Sequence, residues 1–175
     1  MLDHFKVNAL ANVHLINIFM PLILNGQHKK VIAISSGMAD LDTTRDYDIE
    51  FNGPYSISKA ALNAVIAIFS AEYKKDGVLF LAVAPGMVDT GVQAESTNIE
   101  VSCVGLGLTT PLVTEESMPK MMAMGAKFSK YAPHFKGPDP VTLAVARVIS
   151  VFEKASIEKG DGGAFVSQFG NKTWL

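Results

Sequence analysis

A tyrosine and a lysine four residues apart are the side chains in this sequence best suited to acid/base chemistry. Tyr55 and Lys59 lie in an alanine-rich stretch that predicts a helix, and residues i and i+4 share one face of a helix. A free phenol has a pKa of about 10, so a neighbouring ammonium must stabilise the phenolate to bring proton transfer toward neutral pH. Taken alone, such a pair is more often an ordinary surface pair, but its neighbours in the chain favour catalysis.

Two apolar runs flank this helix and predict buried parallel strands. Residues 31–37 end in two serines and a glycine, and residues 78–84 run into the turn Pro85-Gly86. Ligands of parallel sheets bind at the carboxyl ends of the strands. We therefore expect Ser36 to donate a hydrogen bond to a substrate oxygen, and the turn to bring backbone amides against a ligand.

A further candidate, Asn8, lies inside a predicted first helix over residues 2–24, which contains Pro21. Asparagine is a mediocre helix former and has no capping role at this position, so it needs a partner or a function. The other predicted elements are a helix over 54–75, a helix over 140–153 and a last strand within 162–170. Alternating strands and helices of this kind predict an α/β fold.

The sequence resembles the short-chain dehydrogenase/reductase family, and the residues that carry the resemblance are Asn8, Ser36, Tyr55, Lys59, Pro85 and Gly86. The resemblance implies that Tyr55 is the general acid/base and that Lys59 lowers its pKa and hydrogen-bonds the nicotinamide ribose. It also implies that Ser36 orients the substrate carbonyl, with Ser35 as the neighbouring alternative. Asn8 would hold a water of the proton relay behind the lysine.

The same resemblance implies a nicotinamide cofactor, NADP or NAD, and a small-molecule carbonyl or alcohol substrate. The implied cofactor-binding residues are Tyr55, Lys59, Pro85, Gly86, Val88 and Thr90. Val88 and Thr90 match positions that contact the nicotinamide carboxamide. The implied function is that of an NAD(P)-dependent oxidoreductase, which interconverts a carbonyl and an alcohol by hydride transfer.

The sequence departs from the family before Asn8, where a strand, a glycine-rich turn and a helix are expected to bind the cofactor pyrophosphate. The pair Gly105 and Gly107 comes too late to replace that turn. We therefore predict a single truncated NAD(P)-binding domain over 1–175, an incomplete Rossmann-like parallel sheet with flanking helices that forms the second half of a doubly wound domain. Its innermost strand would expose an apolar edge.

This departure leaves two interpretations of the function. The chain is either part of an active oxidoreductase, or a truncated, inactive fragment or pseudoenzyme that acts only as an oligomerisation module. The absent glycine-rich turn discriminates between them, because a diphosphate that loses its backbone donors should bind poorly.

Two segments between the predicted helices and strands can be interpreted from their composition. Residues 37–54 carry five acids and one arginine in the sequence after Gly37, which predicts a solvated surface loop, with a role at the substrate rim as the alternative. Residues 92–139, interrupted by proline and glycine, are the predicted substrate lid. Four methionines near Phe128, at positions 118–124, would either close over an apolar substrate or pack as ordinary core.

Composition limits the partners. The chain has 15 basic and 17 acidic residues and no basic stripe, which argues against nucleic-acid binding, and its four scattered histidines predict no metal site.

Both the 2–24 and 54–75 helices are apolar nearly all round, which predicts a homodimer or homotetramer through them, with burial inside one domain as the alternative.

The expected location is cytoplasmic. The single cysteine, Cys103, fits a reducing compartment, and the polar residues that follow Met1 do not form a signal peptide. The most apolar windows, residues 15–24 and 60–69, are about ten residues long, short of the roughly 20 needed to cross a bilayer. We therefore expect no membrane association.

Overall fold

A computed structural model of the chain describes residues 1–50, 52–90 and 118–175. The helices are α1 (Leu2–Asn25), α2 (Leu41–Asp46), α3 (Gly53–Glu72), α4 (Met118–Tyr131) and α5 (Val141–Lys154). The strands are β1 (Lys30–Ile34), β2 (Leu79–Ala84), β3 (Val88–Asp89), β4 (Asp139–Pro140) and β5 (Ala164–Ser167). Short 3-10 turns occupy Gly37–Ala39 and Lys74–Asp76.

The main sheet has three parallel strands in the order β1-β2-β5. Ile32 of β1 lies opposite Leu81 of β2, and Ala82 of β2 lies opposite Phe165 of β5. Every residue of the central strand β2 is buried, as its continuous apolar sequence requires of a strand covered on both faces. The prediction that the three strands lie side by side is confirmed.

Helices cover both faces of this sheet. On one face α1 and α3 pack over the sheet, and the buried residues there are Ile16, Met20, Ala33, Leu62, Ile66, Phe69, Val78, Phe80 and Ala82. On the other face α5 packs over a second cluster, which comprises Leu79, Leu81, Val83, Val148 and Ala155. A parallel sheet between two helical layers is the Rossmann-like arrangement, and the predicted α/β fold is confirmed.

Helix α1 is continuous through Pro21 and contains a π-helical turn at Lys6–Leu10. This turn centres on Asn8, the residue that the sequence marked as unusual for a helix. A π-helical turn inside an α-helix often marks a functional site. Helix α3 begins after Asn52, whose φ of 56° is left-handed, and has Pro54 in its first turn, where the missing amide hydrogen costs nothing.

The outer face of α1 is apolar and exposed, and its most exposed large side chains are Leu2, Val7, Leu15, Ile18, Phe19 and Leu22. By length and composition alone this helix could cross a membrane, with a mean hydropathy of 1.7. A core helix of a soluble protein and a signal sequence pass the same test. The apolar window 15–24, expected to be too short, is thus only part of a longer apolar helix, because α1 extends across the polar residues that precede it to a length of 24 residues. The absence of membrane association stays a prediction.

The outer edge of β1 has no strand partner among the described residues. Ile34, its last residue, is 50% exposed. Such an edge presents unpaired backbone groups to another strand, in agreement with the predicted apolar edge.

The acidic segment after Ser36 is more ordered than expected. Asp40 caps α2 by accepting a hydrogen bond from the Thr43 amide at 2.7 Å, and Ile49 is buried. The other four carboxylates, those of Asp42, Asp46, Asp48 and Glu50, are exposed, and Asp42 and Asp46 pair with the exposed Arg45. The predicted solvation thus holds for four of the five acids, but the segment is not an irregular loop, because Asp40 caps a short helix and the buried Ile49 anchors the segment.

Candidate active site

One cavity of about 280 Å³ brings several of the predicted site residues together. Its lining residues are Ser36, Gly37, Met38, Thr43, Thr44, Ile49, Asn52, Tyr55, Gly86, Met87, Phe128, Tyr131, Trp174 and Leu175. Tyr55, Ser36 and Gly86, which the sequence separates widely, thus meet at the carboxyl ends of β1 and β2. Among the residues that the structure describes, none that lines the cavity has a charged side chain. A larger cavity of about 410 Å³ between α5 and β5 includes none of the predicted residues.

Tyr55 and Lys59 lie one turn apart on α3, as the spacing predicted. The Lys59 ammonium is 5.8 Å from the centroid of the Tyr55 ring, and it donates a hydrogen bond to the Ile34 carbonyl at 2.8 Å. Burial lowers the pKa of Lys59. The bond to the last residue of β1 holds the ammonium near the phenol, where its charge favours the phenolate.

Ser36, and not Ser35, faces the cavity. The Ser35 hydroxyl is buried and donates to the Asn63 side chain of α3 at 2.6 Å, whereas Ser36 lines the cavity beside Tyr55. Successive residues of a strand point to opposite faces, so the two hydroxyls diverge. The geometry agrees with the choice of Ser36 as the residue that contacts substrate, and its role stays a prediction.

Asn8 lies behind the cavity, against α3. Its amide nitrogen donates to the Ser58 hydroxyl at 2.9 Å, and that hydroxyl donates to the Tyr55 carbonyl at 2.7 Å. The Asn8 carbonyl accepts a hydrogen bond from Asn12 at 2.9 Å. Asn8 therefore has the partner that its position required, one residue before Lys59 in the neighbouring helix. It does not line the cavity.

The turn after β2 requires glycine. Gly86 has a φ of 81°, and a Cβ at this position would lie 2.3 Å from the side-chain nitrogen of Gln168. Gly86 lines the cavity, whereas Pro85, Val88 and Thr90 do not. Val88 pairs with the short strand β4, and Thr90 is exposed. Both residues therefore lie in the segment that follows the Gly86 turn and leads away from the cavity.

We predict that Gly86→Ala destabilises the protein more than Gly77→Ala. Both glycines have positive φ, but a Cβ at Gly77 would meet nothing within 4 Å. The matched variant should lose only the conformational preference of glycine, about 1 kcal/mol, whereas Gly86→Ala must also displace the buried Gln168. Urea denaturation of both variants measures the difference, and equal losses would contradict the tight contact.

Helix α4 supplies part of the predicted lid. Phe128 and Tyr131 line the cavity, and Lys127 pairs with Glu50 and donates to the Asp48 carbonyl, which ties α4 to the acidic segment. Burial raises the pKa of Tyr131, so its hydroxyl stays protonated. The rest of the predicted lid, residues 92–117 with Cys103, Gly105 and Gly107, lies outside the described residues, as do the methionine side chains at 118–124.

Sequence reasoning missed two aromatic neighbours of the site. Trp174 lines the cavity, although nothing in its local sequence signalled a role beyond its being the single tryptophan of the chain. The His4 ring packs edge-on against Tyr55, with 6.4 Å between centroids. No group of three or more potential metal ligands occurs in the described part of the chain.

Comparison with known proteins identifies the family. A family model described as short chain dehydrogenase matches residues 1–100. The chain is 50% identical over 171 residues to the short chain dehydrogenase virK of Hypocrea virens and 46% identical over 171 residues to the short-chain dehydrogenase/reductase iacC of Pestalotiopsis fici. Both alignments cover 98% of this chain and 57% of the relative. The chain belongs to the short-chain dehydrogenase/reductase family.

Solved structures share the fold. An NADPH-bound carbonyl reductase from chicken fatty liver superposes with a TM-score of 0.64 at 21% identity, over 95% of this chain and 54% of the other. An NAD-bound short chain dehydrogenase from Mycobacterium paratuberculosis superposes with a TM-score of 0.61 at 20% identity, over 98% of this chain and 55% of the other. The chain thus spans little more than half the length of the relatives and structures that it matches, which agrees with an incomplete Rossmann-like fold.

Proposed function

We propose that this chain supplies the catalytic part of an NAD(P)-dependent oxidoreductase that interconverts a carbonyl and an alcohol. The single observation that carries the proposal is that Tyr55, Ser36 and Gly86 line one cavity while Lys59 is held beside the Tyr55 ring. These groups come from β1, α3 and the turn after β2. Family membership supports oxidoreductase chemistry in general.

In the proposed reaction Tyr55 moves the proton. In the reducing direction its hydroxyl donates a proton to the carbonyl oxygen of the substrate, and in the oxidising direction the phenolate accepts it. Lys59 stabilises the phenolate through its positive charge. Ser36 donates a hydrogen bond to the same oxygen and so holds the carbonyl in place.

The residues around Gly86 fit the nicotinamide end of the cofactor. Gly86 lines the cavity and carries no side chain, so its backbone is accessible to a ligand bound there. Pro85, Gly86, Val88 and Thr90 would hold the nicotinamide, and Lys59 would hold its ribose. The bound cofactor supplies or accepts the hydride. Whether it is NADP or NAD stays open, and the described residues include no assigned site for its pyrophosphate.

The second candidate function is a catalytically inactive oligomerisation module. The exposed apolar face of α1 and the unpaired edge of β1 favour it, since both could pair with another chain. We propose that in either case the protein forms a homodimer or homotetramer through α1 and α3.

The intact mass of the protein isolated from its source, together with cofactor binding, tests the proposal. We expect a species larger than 18.8 kDa that is stabilised by NADPH or NADH in a thermal-shift titration and that oxidises the reduced cofactor when a ketone is added. The 175-residue chain alone should show no thermal shift. A native species of 18.8 kDa that neither binds nor oxidises the cofactor would favour the oligomerisation module.

A further inference from the structure

Trp174 is a buried aromatic residue of the cavity wall. It is 3% exposed, it lines the cavity that contains Tyr55 and Ser36, and it is the single tryptophan of the chain. A buried tryptophan usually has a partner for its indole N–H. The contacts of Trp174 show which parts of the wall it holds together.

Three elements meet at this side chain. Its ring stacks on Phe165 of β5 at 4.4 Å between centroids, with 16° between the planes. Its indole nitrogen donates to the Thr43 hydroxyl of α2 at 3.1 Å, and its backbone amide donates to the Tyr131 hydroxyl of α4 at 2.7 Å. Trp174 therefore joins the sheet to α2 and α4, two of the helices that border the cavity.

Trp174 also rests on the backbone next to Ser36. A Cβ on Gly37 would lie 2.6 Å from the Cβ of Trp174, closer than any side chain can approach. Glycine at this position thus lets the indole pack directly on the turn that follows β1. A change in the size of residue 174 would shift both that turn and the depth of the cavity.

The cavity itself indicates the chemistry of its ligand. At about 280 Å³ it lies near the lower end of the range for ligand pockets, so it suits a compound of about one or two rings. Met38, Ile49 and Phe128 make much of the lining apolar, and within residues 1–50, 52–90 and 118–175 no charged side chain lines it. A carboxylate or phosphate would lose its water here without a charged partner.

We propose that Trp174 is a specificity-determining residue that sets the depth of the cavity, and that the cavity takes neutral, largely apolar carbonyl compounds of one or two rings. The proposal rests on the proposed function, because that function makes this cavity the substrate site. It adds the class of substrate and the residue that limits its size.

Indole fluorescence of the 175-residue chain provides the first test. Because Trp174 is the single tryptophan, its emission reports on this wall alone. Cyclohexanone and 2-decalone should each produce a saturable change in emission, and cyclohexanecarboxylate should not. Two results would overturn the proposed role of Trp174 or the proposed ligand class: calorimetry detects binding of the ketones with no change in emission, or neither ketone binds. The proposed ligand class is also wrong if cyclohexanecarboxylate binds as tightly as the ketones. No cofactor or turnover is involved, so failure of the proposed function remains a separate result.

Variants of the wall, with binding measured by calorimetry, provide the second test. Trp174→Phe keeps a ring against Phe165 and loses the hydrogen bond to Thr43, and Thr43→Val loses the same bond from the other side. Because this bond holds Trp174 against α2 in the conformation that forms the cavity wall, its loss should weaken cyclohexanone binding roughly fivefold in each variant. Trp174→Leu should deepen the cavity and shift the ratio of dissociation constants at least fivefold toward 2-decalone.

Lys172→Gln is the matched control. The Lys172 ammonium lies 4.8 Å and 5.2 Å from the Phe165 and Trp174 ring centroids, but Lys172 does not line the cavity, so this variant should leave both dissociation constants unchanged. A purely structural role for Trp174 would lower the melting temperature and leave the ratio of the two dissociation constants as in the parent. If Trp174→Leu does not fold, an unchanged affinity in both Trp174→Phe and Thr43→Val overturns the proposal.

Discussion

Tyr55→Phe is expected to lower the turnover of the active, native-length protein by about 10²–10⁴-fold, the usual contribution of a positioned acid/base group. The substitution removes only the hydroxyl and keeps the ring, which is nearly buried and packs against His4. Nucleotide affinity should therefore change little. The absorbance of the reduced nicotinamide measures turnover, and a thermal-shift titration with NADPH measures nucleotide binding.

Tyr73→Phe is a matched control for this experiment. It removes the same hydroxyl from a tyrosine whose ring stacks on Phe69 in the core beneath α1 and α3, away from the cavity. We expect its turnover to be within about twofold of the parent, because a hydroxyl remote from the reacting atoms contributes no proton transfer. If Tyr55→Phe retained parental turnover, the acid/base role assigned to Tyr55 would be wrong.

Lys59→Met is expected to separate activity from stability. Turnover should fall at least tenfold, since the ammonium that favours the Tyr55 phenolate is lost. The free energy of unfolding at neutral pH should stay the same or rise, because burial of the Lys59 ammonium opposes its charged form. The Ile34 carbonyl that loses its donor belongs to a half-exposed residue, so water can replace the bond.

The way in which the free energy of unfolding changes with pH provides a second test of the role of Lys59. Burial places the pKa of folded Lys59 below its ordinary value of 10.5, so between these two values the unfolded chain binds more protons than the folded one. The free energy of unfolding should therefore gain a contribution that rises as the pH increases through the folded pKa toward 10.5. Lys59→Met should lack this contribution.

Urea denaturation at a series of alkaline pH values measures the effect. Lys75→Met, at an exposed lysine, serves as the control and should keep the parental pH profile. A Lys59→Met variant that was strongly destabilised at neutral pH, or that kept the parental slope, would show that burial of this ammonium is not an energetic cost in the folded state.

Local sequence was sufficient for most of the helices and strands. The continuous apolar run of β2 predicted a strand buried on both faces, and it is the centre of the sheet. The i to i+4 spacing was enough to place Lys59 beside Tyr55, because helix geometry alone brings such residues together. The two serines after β1 could be assigned to opposite sides because the pleat of a strand alternates.

Other features could not be predicted from local pattern. The acids of residues 37–54 suggested a solvated loop, yet Asp40 caps α2 and Ile49 is buried, because a capping bond and a contact to distant residues outweigh composition. The extent of α1 was predicted correctly, but the partner of Asn8 was not, since the hydrogen bond from Asn8 to Ser58 joins α1 to a distant helix.

The sequence by itself determined the family and the residues proposed to move the proton, since these depend on residue type and on spacing along the chain, and the family resemblance implied that the three parallel strands lie side by side. Only the tertiary structure decided what encloses the cavity. Thr43 and Trp174 are 131 positions apart and Tyr131 and Trp174 are 43 apart, so no periodicity or motif connects them. Their contacts exist because the segment after β5 brings the end of the chain against the turn that follows β1, where Gly37 leaves space for the indole.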